Sequence, residues 1–150
     1  MRYGFLYAVI TGLALALAHE GTALASHYAV GDVPTLISAA DAEKLKKGGV
    51  STTEEMLTKA AGLPAATVLT IANRCDLLRV KGIGPEMVLL LEAAGVKTTA
   101  ELAKKEPAAL TTAADTANKA KKITEKPPTE PQFKDWIDQA KALPPVIEGK

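Results

Sequence analysis

An all-α fold is predicted, arranged as two similar helical units in tandem and closed by a C-terminal strap helix. Three observations lead there. From Thr35 onward the good helix formers Ala, Leu, Lys and Glu dominate, and no run alternates apolar with polar residues. Helix-stop and helix-start residues interrupt the pattern at short intervals: Gly48-Gly49, Gly62, Gly82, Gly84, Gly95, Pro107 and Pro127-Pro128. A stretch of the first unit also recurs in the second at an offset of 46 residues.

The chain opens with a targeting pattern. Arg2 precedes an apolar run, Phe5 to Ala18, and Ala23-Leu24-Ala25 has the small-x-small form of a cleavage site. The run is short for a membrane span, which takes about 20 residues. Residues 1–25 therefore read as a signal peptide cut after Ala25, with a cut near Ala29 as the competing site. The alternative is an uncleaved N-terminal anchor. Either way the remainder lies outside the inner membrane, in the periplasm or beyond. Residues 26–34 show no periodicity and read as a flexible leader.

The first unit is expected over about 35–78 and the second over about 79–124. Between Ile37–Leu57 and Ile83–Ala103, seven of 21 positions are identical. Gly49 and Gly95 stand where a helix ends in a left-handed residue. Thr52-x-x-Glu55 and Thr98-x-x-Glu101 are both capping boxes, in which Thr and Glu satisfy each other's orphan N–H groups. Chance similarity between Ala/Lys/Glu-rich helices would not hold all three in register. Leu63-Pro64 opens a helix running to about Leu78, with Val68, Ile71, Ala72, Cys75 and Leu78 on one face. Pro107 opens another, with Ala109, Leu110, Ala113, Ala117 and Ala120 as its apolar side.

Lys126-Pro127-Pro128-Thr129-Glu130-Pro131 forbids helix and forms a connector. Thr129-x-x-Gln132 caps the strap helix, 130–142. This helix places Phe133, Trp136, Ile137 and Ala140 on one stripe. It holds the only Trp and one of the two Phe residues of the chain, so it is expected to complete the core. Residues 144–150 form a tail.

The two units join at Arg79-Val80-Lys81-Gly82-Ile83-Gly84-Pro85-Glu86. Gly82 and Gly84 are expected to make a tight turn at positive φ, Ile83 to point into the core, and Pro85 to start the next helix. Such a turn leaves N–H groups free at a helix N-terminus, where an anion can sit. This is the pattern of a helix-hairpin-helix element. A phosphate would be held by the N–H groups around Ile83, Gly84 and Glu86, with Arg79 and Lys81 adding charge and Gly82 bending the chain.

Chemistry is otherwise sparse. The 150 residues carry a net charge of +1, and removing 1–25 takes away one basic and one acidic residue. A binder of the DNA backbone usually has a clear positive excess. Cys75 is the only cysteine, so neither an internal disulfide nor a thiolate metal cluster is available, and a buried core residue is expected. His19 and His27 have no partners at metal-ligand spacing. There is no GxxxxGK[ST] loop and no nucleophile elbow, and Gly82-x-Gly84 is too short for a dinucleotide fingerprint. A non-enzyme without cofactor or metal is expected.

The stretch Ile37 to Leu143 resembles the bacterial domain-of-unknown-function family numbered 4332. The resemblance is carried by Leu45-x3-Gly49-Val50-x-Thr52-Thr53-x-Glu55, by Asp76-Leu77-Leu78-Arg79-Val80-Lys81-Gly82-Ile83-Gly84, by Leu91-Glu92-Ala93-Ala94-Gly95-Val96-x-Thr98-x2-Glu101-Leu102, and by the tail Pro131-Gln132-x2-Asp135-Trp136-Ile137-x-Gln139-Ala140-Lys141. It implies a small all-α domain with two pseudo-symmetric hairpins, no known reaction and no established ligand. One departure stands out: Ile37-Ser38-Ala39 replaces Ile83-Gly84-Pro85, so the first hairpin lacks both glycines. Two functions are compatible with these residues. One is interaction with, or structural support of, another cell-envelope protein. The other is weak, sequence-independent DNA binding through the Gly82–Gly84 hairpin.

Overall fold

A computed structural model describes residues 28–59 and 63–146. The expected signal segment, His27, the Gly62 break and the end of the C-terminal tail lie outside the described residues. Those residues form seven helices: α1 (Ala39–Lys47), α2 (Glu55–Thr58), α3 (Ala65–Leu77), α4 (Pro85–Ala93), α5 (Thr99–Leu102), α6 (Pro107–Lys121) and α7 (Glu130–Ala142). No strand occurs among them, only one isolated antiparallel bridge between Ala29 and Thr52. The fold is all-α, as the helical composition predicts.

The helix ends follow local chemistry. Gly49 and Gly95 take φ of 85° and 88°, in the left-handed region that a side chain would strain. After each, a valine N–H returns to a helix carbonyl, Val50 to Leu45 at 2.9 Å and Val96 to Leu91 at 2.8 Å. The next helix is then capped alike. Glu55 N–H donates to Thr52 Oγ1 and Glu101 N–H to Thr98 Oγ1, both at 3.2 Å. The glutamate carboxylates reach back to the Ser51 and Lys97 N–H groups, both at 2.7 Å. Ser38 and Gly84 also correspond: both are extended N-caps. Ser38 Oγ accepts from the Asp41 N–H at 3.2 Å. An extended cap needs no glycine, which explains why serine can serve at position 38.

The leader differs from expectation. Val30 and Val33 are fully buried, and the Val30 N–H donates to the Ser51 carbonyl at 2.9 Å. Tyr28 brackets Thr53: its carbonyl accepts the Thr53 N–H at 2.9 Å, and its N–H donates to Thr53 Oγ1 at 3.3 Å. From Tyr28 on, the segment is part of the core rather than a flexible arm. The pairing is one bridge long, too short to leave a periodic pattern.

The described residues share one continuous core. α7 packs on α5 and α6, α4 packs on α6, and α2 packs on α3. All four predicted α7 positions, Phe133, Trp136, Ile137 and Ala140, are buried, with Phe133 and Trp136 meeting edge to face at 5.4 Å. Burying each large side chain contributes roughly 1.5–3 kcal/mol. α6 presents Leu110 and Ala114 to the core, while Ala109 and Ala120 are exposed. The expected alanine stripe was displaced because alanines occur all round this helix and only Leu110 marks its inner face. Cys75 is buried, and burial pushes its thiol pKa up to about 12, so it stays protonated and inert.

Candidate functional site

The turn between α3 and α4 is built from short backbone bonds. Arg79 N–H reaches the Asp76 carbonyl at 3.1 Å, Val80 N–H that of Leu77 at 3.2 Å, and Ile83 N–H that of Val80 at 3.1 Å. Val80 and Ile83 point into the core at 0 % and 1 % exposure. Gly82 has φ 96°, but Gly84 has φ −96°. Only the first glycine occupies the left-handed region. Gly84 is an ordinary extended N-cap preceding Pro85, contrary to the expected pair of positive-φ glycines.

α7 seals one side of this turn. Gln139 grips the Lys81 peptide with both ends of its amide: the Lys81 N–H donates to Oε1 at 2.9 Å, and Nε2 donates to the Lys81 carbonyl at 3.2 Å. Nε2 also donates to Asp135 Oδ2 at 2.8 Å, which fixes the amide's orientation. Trp136 lies against Gly82 so closely that a Cβ there would fall 2.8 Å from the indole Nε1. Gly82 is therefore demanded twice, by its φ and by the tryptophan.

The expected site residues separate. Arg79 is 8 % exposed and is not a surface cation. Its Nε and Nη2 donate to Asp76 Oδ1 at 3.0 and 2.7 Å. Nη2 also reaches Thr99 Oγ1 at 3.3 Å and the Pro144 carbonyl at 2.9 Å. The other oxygen of Asp76 accepts the Thr99 N–H at 2.7 Å and the Thr99 hydroxyl at 2.9 Å. This buried network ties α3, the turn, the start of α5 and the C-terminal tail together. The Tyr28 backbone meets Thr53, which stands 46 residues before Thr99. Ile83 is buried and its N–H is taken by Val80. Lys81 keeps an exposed side chain that forms no ion pair among the described residues. Glu86 is exposed beside Asn118, Lys122 and Lys126, in a second cleft. No side chain caps the first N–H groups of α4. Among the described residues, the turn's free donors are thus the N–H groups of Gly82 and of the residues near Gly84 and Glu86, with the Lys81 ammonium.

Glu92, on α4, is partly exposed and paired with Arg74. Arg74 Nε and Nη2 grip both carboxylate oxygens at 2.8 and 2.9 Å, and Nη1 donates to the Leu36 carbonyl at 2.9 Å. The pair joins α3 to α4. Its hydrogen bonds hold the Glu92 carboxyl below the ordinary value of 4.5. A carboxylate held low in the folded state is more easily protonated when unfolded, so its stabilisation is present above pH 4.5 and lost as the pH falls through the lowered value. Stability is expected to fall on acidification below about pH 4.5, with Glu92→Gln flattening that slope. Urea midpoints across the acid range check it, and parallel slopes for wild type and variant would count against the pair.

Sequence reasoning missed Asp76, Thr99, Trp136 and Gln139 as partners of the turn. The Asp76-x-x-Arg79 spacing was visible, since residues three apart share a helical face. Gln139 acts across 58 positions, and no local pattern points to it. Among the described residues no group of His, Cys, Asp or Glu could hold a metal ion, and no helix is long and apolar enough to cross a membrane.

Fold and site together define a small all-helical domain with a glycine-bent turn sealed by a C-terminal helix. The chain belongs to the family described as Domain of unknown function (DUF4332), whose model matches residues 35–143. No curated protein and no solved structure matches it.

Proposed function

We propose that this chain is an exported, non-enzymatic tandem helix-hairpin-helix module that binds or supports another protein of the cell envelope. The carrying observation is the placement of Arg79. The guanidinium that a phosphate-binding turn would offer is buried on Asp76, and the Lys81 peptide is closed by Gln139. The matched backbone of the two units, from Gly49 and Gly95 through the two threonine caps, supports descent from a duplicated hairpin. The apolar run from Phe5 to Ala18 and the Ala23-Leu24-Ala25 site support export.

A second reading, weak DNA binding, is favoured by the uncapped start of α4 beside the exposed Lys81. Anisotropy of a labelled duplex separates the two. An interaction module gives no saturable complex with duplex DNA at low salt. A DNA binder gives one whose log affinity falls with log salt by roughly 0.9 per phosphate neutralised, a slope that Lys81→Ala lowers by about one. That second result would overturn the first reading.

A further inference from the structure

We draw no further inference here: the strongest candidate, the exposed apolar face of α3 around Ala65, Ala66 and Leu69, carries nothing because nothing among the described residues shows what covers it.

Discussion

Gly82→Ala is expected to destabilise the fold by about 2–4 kcal/mol, while Gly84→Ala stays within about 1 kcal/mol of wild type. The two glycines are separated by a single residue, Ile83, and look alike in the sequence. Their backbones do not. A side chain at φ 96° costs roughly 1–2 kcal/mol in strain alone. At Gly82 it also lands 2.8 Å from Trp136 Nε1, on a ring wedged against Phe133. Moving that ring disturbs the core, and overpacking of this kind typically costs another 1–3 kcal/mol. Gly84 has φ −96°, and the nearest atom to an added Cβ is the Tyr28 hydroxyl at 4.0 Å. Alanine fits there and lowers the entropy of the unfolded chain, which offsets any loss. Urea denaturation of the two variants checks the contrast. Equal midpoint shifts would show that the turn is not bent at Gly82.

The largest single effect is expected at Asp76. Asp76→Ala should cost about 3–5 kcal/mol, because it leaves the Arg79 guanidinium buried without a counter-charge. It also removes the acceptor for the Thr99 N–H, a buried backbone donor at the start of α5. Arg79→Ala should cost a similar amount, since it leaves the carboxylate stranded and the Pro144 carbonyl unpaired. The double variant should then be much less unstable than the sum of the two, because neither charge is left alone. Arg79→Lys should rescue poorly: a single ammonium cannot reach Asp76, Thr99 and Pro144 at once. Chemical denaturation of the four chains completes the cycle. Strict additivity would mean that the two side chains do not act as a pair. If Arg79 instead served a ligand at the surface, its removal would leave the midpoint nearly unchanged.

These effects show where sequence reading reached and where it stopped. The all-α class, the strap stripe of Phe133, Trp136, Ile137 and Ala140, and the paired Gly–Val–Thr–Glu segments were legible. Each is written in spacings of a few residues, or in the φ preference of one glycine. The turn itself was located, and Ile83 was correctly given to the core. The role of Arg79 was not legible. A basic residue beside a glycine turn reads as a surface charge, and only burial of Asp76 turns it inward. The same holds for Val30 and Val33, whose apolar character in a short aperiodic segment did not disclose that Tyr28–Val30 lies along Ser51–Thr53.

By itself the sequence determined the helices, their caps and the apolar side of α7, since i→i+3 and i→i+4 contacts and backbone preferences depend on neighbours alone. The tertiary structure decided which glycine bears the strain and which charge is internal. Those outcomes depend on Gln139, Pro144 and the Tyr28 segment arriving from distant parts of the chain, and the burial they create sets the value of every polar group at the turn.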